Sequence, residues 1–311
     1  MTPLRVGVIG LGLIGGSIAQ RLAERPGEFE VAGFDADGSP RDGLELKSSA
    51  GELAAASDLV VVAVPPERTA EAVADALAAN GNASVTDVAS VKAPILDEVR
   101  RLAPDALHRY LLGHPLAGAE ESGWHAARPE LLDLTTWAVC PPTKDAPAGP
   151  LEHVGRLVNA FNARLVVCDP RAHDRAVART SHAPHLVAKA LAAAPPDSAP
   201  LTALLSGGAF RDMTRVAASD PRLWESILEL NQQEVRGVLD EWIAALGGSG
   251  PEQEPMLELV ESLRWNEPRA WETRALDWPA WNELIELSRS GIAIRLPRLE
   301  GDRLIADTAV T

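Results

Sequence analysis

Residues 4–9 form a short apolar run that leads at once into Gly10-Leu11-Gly12-Leu13-Ile14-Gly15, and then into a helical stretch over residues 13–25. A buried strand that must turn straight into a helix through glycines at the first, third and sixth positions admits few folds. Gly10 allows the tight turn, Gly12 lets a pyrophosphate approach the backbone, and Gly15 lets helix and strand pack closely. The unpaired N–H groups of the helix N-terminus then face an anion. Alone this spacing is a weak signal. After a strand and before a helix it reads as a dinucleotide-binding turn, with Gly10, Gly12, Leu13, Ile14 and Gly15 as its predicted cofactor-contacting residues. A second predicted strand, residues 29–34, ends at Asp35. An acid there bonds the adenosine ribose 2′-hydroxyl and repels a 2′-phosphate, so it favours NAD. Arg41 stands nearby and weighs the other way, which leaves NADP open.

Further apolar runs at 59–64, 84–88, 110–113, 137–140 and 165–167 alternate with helical stretches. Such alternation means an α/β fold, a Rossmann-type doubly wound and mostly parallel sheet, over residues 1–169. Between Asp35 and Asp58 there is little room for a full helix, and Gly38-Ser39-Pro40-Arg41-Asp42-Gly43 predicts a loop and a shortened crossover. After Asp169-Pro170 the pattern changes. Residues 170–248 read as an all-helical domain so rich in Ala, Leu and Val that its faces call for a partner, which predicts a homodimer. Residues 249–311 form an extension holding Trp265, Trp271, Trp278 and Trp281, four of the eight tryptophans. Residues 291–311 alternate like two strands around Gly301. A packing cap on the helical domain is the first reading of this extension and an effector site the second.

A length of 311 residues suits two domains, and 46% hydrophobic residues suffice for a large core. The formal charge of −15 disfavours a nucleic-acid partner but leaves room for a small anionic substrate held by local arginines. Cys140 and Cys168 each close a predicted strand without metal-ligand spacing, and read as core thiols in a reducing compartment. No apolar run reaches the roughly 18 residues that span a bilayer. The first strand starts almost at Met1, which leaves no room for a signal peptide. The expected location is the cytoplasm, with no membrane contact.

Four segments carry candidate chemistry. His114 follows a predicted strand, held between Gly113 and Pro115, at the sheet edge where a nicotinamide would be presented. With an ordinary pKa near ~6.5 it suits a general base taking a proton from a hydroxyl. In Thr86-Asp87-Val88-Ala89-Ser90-Val91-Lys92 the chain leaves a strand and enters a helix, where Ser90 fits either a helix cap or a cleft-facing hydroxyl. Ser181-His182-Ala183-Pro184-His185 puts two histidines three apart on a helix. No third ligand has suitable spacing, so no metal is expected. Ser206 to Arg215 brings two arginines after paired glycines, suited either to a carboxylate or to a solvated helix face.

The segments 10–17, 86–92, 113–123, 181–185 and 207–224, in this order, resemble the prephenate/arogenate dehydrogenase family of tyrosine biosynthesis over about residues 4–247. The resemblance implies a Rossmann domain followed by a helical dimerisation domain. It implies oxidative decarboxylation of prephenate to 4-hydroxyphenylpyruvate with hydride transfer to NAD⁺, or of arogenate to tyrosine. His114 would then be the base and Ser90 would orient it. Arg215 would hold a substrate carboxylate, and Ser181, His182 and His185 would line the pocket. Glu120 would pair with the arogenate ammonium or with Arg215. Ala119 departs from the family's common Thr, and Arg211 stands where Lys is common. A 4-amino-4-deoxy analogue suits a histidine base less well. A β-hydroxy-acid enzyme would want a catalytic lysine, for which Lys189 lacks a motif. An NAD(H)-sensing protein would not need Ser90, His114 and Arg215 together.

Overall fold

The computed structural model describes residues 2–119, 121–193, 199–218, 221–247 and 271–310. Strand β1 (Leu4–Ile9) runs through the glycine turn into helix α1 (Leu13–Ala23) and returns as β2 (Phe29–Phe34). The shortened crossover holds a two-residue strand, β3 (Glu45–Leu46), and a six-residue helix, α2 (Ala50–Ala55). Ser49 caps α2 by accepting from Glu52 N, while the Glu52 carboxylate accepts from Ser48 N and Oγ. These reciprocal bonds let so short a helix form. Then follow β4 (Leu59–Val62), α3 (Pro66–Ala79), β5 (Ser84–Asp87), α4 (Ala93–Leu102), β6 (Tyr110–Pro115), β7 (Thr136–Cys140), α5 (Gly149–Asn159) and β8 (Arg164–Val167).

From β1 the chain winds outward through β2 and β3 on one side and through β4, β5 and β6 on the other, all parallel. The switch point between β1 and β4 opens at their carboxyl ends, where ligands bind in such sheets. Every residue of β4 is buried. Leu59 and Val61 join the core under α1 and α5, while Val60 and Val62 join the core under α2, α3 and α4. A strand covered on both faces needs this uninterrupted apolar run.

The sheet does not end at β8. Strands β9 (Glu272–Asp277), β10 (Ile292–Glu300) and β11 (Arg303–Val310) extend it antiparallel in the order β8-β10-β11-β9, with α12 (Trp281–Arg289) packed on β8 and β10. The β10–β11 hairpin turns at Gly301, whose φ is +64°. The described part of the tryptophan-rich extension therefore packs on the first domain's sheet rather than capping the helical domain. The reason is the edge of β8, whose unpaired backbone groups need a partner. Trp281 is 1% exposed and its Nε1 donates to Ala146 O at 2.7 Å. Ser288 Oγ accepts from Val167 N at 2.9 Å, and Pro297 sits against Gly155 of α5. Trp265 lies outside the described residues.

The helical part comprises α6 (Pro170–Val177), a π-helical turn (Ala178–His182), α7 (Ala183–Ala192), α8 (Ala199–Leu205), α9 (Gly208–Thr214), a 3-10 turn (Arg215–Ala218), α10 (Pro221–Leu230) and α11 (Gln232–Gly247). Its buried residues form a small cluster around Ala178, Ala183, Val235 and Val238, and Trp224 and Ile227 pack with Val91 of the loop between β5 and α4. Among the described residues no helix is long and apolar enough to cross a membrane.

Because Trp281 fills the core beneath β8, Trp281→Ala should cost about 3–5 kcal/mol. Urea unfolding followed by circular dichroism measures this. A loss under about 1 kcal/mol would show that the extension rests on the sheet without contributing to its core.

Candidate active site

The floor of the site is a buried ion pair. Asp87, the last residue of β5, and Lys92, just before α4, are both fully buried and bonded to each other. Two charges out of water are costly unless every remaining polar atom is satisfied. Here Asp87 also accepts from Tyr110 Oη at 2.6 Å and from Ala89 N at 2.9 Å, and Lys92 Nζ donates to Gly113 O at 2.6 Å. Burial and the neighbouring Asp87 push the Tyr110 hydroxyl well above its usual pKa, so it stays a donor. This network ties the ends of β5 and β6 to the start of α4, and so fixes the main chain beside His114.

His114 lies half-buried near the end of β6. Its Nδ1 is 2.9 Å from Nε2 of His173 in α6, and His173 Nδ1 is 2.8 Å from Asp174 Oδ1. Burial, with help from His173, Lys92 and His182, pushes the His114 pKa well below the ordinary histidine value. His114 is therefore neutral at pH 7. Asp174 also accepts from Lys92 N through Oδ1 and from Ala93 N through Oδ2, each at 2.8 Å. Asp174 thus caps α4. Ser90 does not serve as that cap, since its hydroxyl is two residues short of the helix's N-cap position and Asp174 already occupies the free amides. Among the described residues the bond that orients His114 comes from His173, and Ser90 forms no side-chain hydrogen bond to it.

The helical part supplies the opposite wall. Pro184 has no N–H to continue the α-helical ladder, and the backbone widens into the π turn just before it. Ser181 and His182 sit in that turn. His182 is buried and accepts, at Nδ1, from Asn231 Nδ2 at 3.0 Å. Desolvation lowers its pKa to about 4. His185 donates to Ser181 O at 2.9 Å and stacks on Trp224 with ring centroids 3.7 Å apart. Trp224 meets the His182 ring edge-on, and Lys189 Nζ lies 6.0 Å from its centroid. Burial, together with Lys189 and Arg215, lowers the pKa of His185 despite its bond to Ser181 O. Arg215 is exposed, and among the described residues no carboxylate pairs with it. Glu120 lies outside the described residues.

At the switch point Gly10 has φ +90°, and a Cβ there would lie 2.5 Å from Ala63 O. A Cβ on Gly15 would lie 1.9 Å from Gly10 O, whereas one on Gly12 would meet nothing within 4 Å. The turn is thus closed towards the sheet and open at Gly12, with the α1 N-terminus uncapped by any side chain. Leu13 and Ile14 are partly exposed at that opening. Asp35 Oδ2 accepts from Leu11 N at 2.6 Å and Oδ1 from Asp37 N at 3.1 Å, so the acid braces the turn and keeps lone pairs for a diol. Arg41 is committed elsewhere. It pairs with Asp37 at 2.8 Å, donates to Ser39 O at 3.1 Å and lies over the Trp124 ring. These residues fit an anionic dinucleotide with unmodified ribose hydroxyls. Among the described residues no cluster of side chains could hold a metal ion.

Sequence reasoning passed over His173, Asp174 and Asn231. A signal for the first two is the Asp169-Pro170 start of α6, which places a His-Asp pair in the first turns after a strand end. Asp169 does cap that helix, accepting from Arg171 N and Ala172 N. Asn231 has no such signal beyond its place between two amphipathic helices.

Family models of the prephenate dehydrogenase nucleotide-binding domain and dimerization domain match residues 20–167 and 169–249. The chain is 31% identical over 255 residues to the cyclohexadienyl dehydrogenase of Zymomonas mobilis, covering 78% of this chain and 85% of that one. It is 32% identical over 249 residues to the prephenate dehydrogenase of Bacillus subtilis, covering 75% of this chain and 66% of that protein. It therefore spans just under two-thirds of the Bacillus protein's length. The crystal structure of prephenate dehydrogenase from A. aeolicus in complex with hydroxyphenyl propionate and NAD⁺ superposes with TM-score 0.70 at 25% identity, covering 84% of this chain and 93% of that one. Turn, sheet order, helical wall and these likenesses agree: the chain belongs to the prephenate dehydrogenase family.

Proposed function

We propose that this protein is an NAD-dependent dehydrogenase that converts prephenate to 4-hydroxyphenylpyruvate and carbon dioxide. One observation carries the reading: a neutral histidine, His114, stands near the carboxyl end of β6, on the same edge of the parallel sheet as the open glycine turn and close to His182 of the helical part. The Gly10–Gly15 turn and Asp35 would hold NAD⁺, which would supply the hydride acceptor for C4 of the substrate ring. His114 takes the proton of the C4 hydroxyl as that hydride leaves, and can return it to the ring oxygen once the C1 carboxylate departs as carbon dioxide. Aromatisation drives the reaction, so the protein needs chiefly positioning and one base. Arg215 holds a substrate carboxylate, and Ser181, His182 and His185 line the pocket. Ser90 remains a candidate for contact with the substrate hydroxyl.

Asp35, with Arg41 already engaged by Asp37, supports NAD over NADP. Arogenate is the alternative substrate, and its chief sequence support is Glu120. In this reading residues 1–169 bind the cofactor and residues 170–248 hold substrate and join two copies of the chain. The described part of 249–311 completes the sheet. The match to a dimerization domain supports the homodimer, as do exposed Leu204 and Leu246, each more than 80% accessible. In this reading the protein works in the cytoplasm, where Cys140 and Cys168 serve as packed thiols.

Turnover of prephenate and of arogenate, each with NAD⁺ and with NADP⁺, followed by NADH or NADPH absorbance, tests the reading. Prephenate with NAD⁺ should be fastest, and absence of turnover with both substrates overturns it. His114→Asn should lower kcat about 10²–10⁴-fold with little change in the KM for NAD⁺. Arg215→Ala should raise the substrate KM about 10–100-fold, with kcat changed far less. If KM holds, Arg215 does not bind substrate. A base must be unprotonated to act, and the His114 pKa is depressed, so the acid limb of kcat/KM should fall below pH 6.5. A limb at or above the ordinary value of about 6.5 would mean that the base is not held neutral by its surroundings.

A further inference from the structure

We propose that His173 and Asp174 are positioning residues that lock His114 into the tautomer with its proton on Nδ1, leaving Nε2 as the base. The proposal rests on His114 being the base of the reaction above.

A chain of donors and acceptors begins at two backbone amides. Lys92 N and Ala93 N can only donate, and both donate to the Asp174 carboxylate. Both carboxylate oxygens thus receive an N–H, and a carboxylate is an acceptor only. His173 Nδ1, 2.8 Å from Asp174 Oδ1, must therefore carry a proton. A neutral imidazole has one N–H, so His173 Nε2 carries a lone pair. That nitrogen lies 2.9 Å from His114 Nδ1, which must then be the donor. His114 Nε2 is left with the lone pair, the form a general base requires. Burial lowers the pKa of both rings, which supports the neutral forms used at each step. His173 and Asp174 are 3% and 2% exposed, so water does not compete for these bonds.

The charged and titratable groups around the relay are Lys92 and Asp87 from the sheet side and His182 from the helical side. The helical side is held by the same acid. Asn231 Nδ2 donates to Asp174 O at 2.9 Å and to His182 Nδ1 at 3.0 Å. By the same reasoning His182 carries its proton on Nε2. The two imidazoles thus hold opposite tautomers, one a base and one a donor, both set by contacts to Asp174 and Asn231. When His114 takes a proton, its Nδ1–H bond to His173 becomes charge-assisted and the Asp174 carboxylate opposes the new charge through the intervening ring. The competing arrangement is a doubly protonated His173. It would donate to His114 Nδ1 and turn Nε2 into an N–H with nothing to accept a proton.

Two measurements decide between these. In full-length protein with ¹⁵N-labelled histidine, long-range ¹H–¹⁵N spectra at neutral pH should show His114 protonated on Nδ1 and bare on Nε2. The reverse pattern overturns the relay without recourse to any variant. In turnover, His173→Leu removes the acceptor and should lower kcat about 10²-fold with the substrate KM within about twofold. His173→Gln puts an amide oxygen near the place of Nε2, where it can still accept from His114, and should recover most of that loss. Equal losses in the two variants would mean that His173 only fills space. His114→Asn separates the two proposals. If it is inactive while His173→Leu turns over normally, the relay fails and the base assignment stands. If His114→Asn turns over normally, the base assignment fails and the relay with it.

Discussion

The ion pair between Asp87 and Lys92 sets the geometry on which the rest of the site depends. Both side chains are fully buried, so the pair persists only because each polar atom finds a partner in the surrounding fold. Those partners are Tyr110 and Gly113 of β6 and Ala89 in the loop that leaves β5. Two neighbouring strands and the start of α4 are thus locked by one pair of opposite charges. Removing either partner would leave an uncompensated charge in the interior and would shift the strand that carries His114.

A second carboxylate joins that floor to the helical part. Asp174 accepts from the first amides of α4 with its side chain and from Asn231 with its main-chain carbonyl. A helix N-terminus left without partners inside a protein is costly. Here the cap comes from a residue 81 positions along the chain from Ala93, in a different helix. Helix capping and the seam between sheet and helices are therefore one interaction. The π turn adds to it, because widening the helix at residues 178–182 places His182 within reach of Asn231.

What the sequence makes legible follows from how local the physics is. The glycine turn is legible because φ at Gly10 and the contact between Gly15 and Gly10 are requirements of a few adjacent residues. The continuous burial of β4 is legible because a strand covered on both faces must be apolar throughout. The place of His114 at the end of β6 follows from the run at 110–113. The cap of α4 is not legible, since Ser90 has the right residue type near the right place while the actual acceptor is remote. The partner of β8 is not legible either. Alternation at 291–311 shows two strands but says nothing of which edge they join. The family models stop at residue 249, so the β9–β11 segment lies beyond what they describe.

The route of the chain through the sheet has a consequence for synthesis. Leu165 of β8 pairs with Ile294 of β10, and the whole helical part lies between them. A chain emerging from the ribosome therefore carries β8 as an open edge, with its amides and carbonyls exposed, until the residues around Ile294 have been made. Open edges invite pairing with other chains, and long-range strand pairing is slow. The hydrophobic bed that receives Trp281 is likewise unfilled during that interval. The sheet is begun before the helical part and completed after it, so the helical part has to fold while its neighbour is still unfinished.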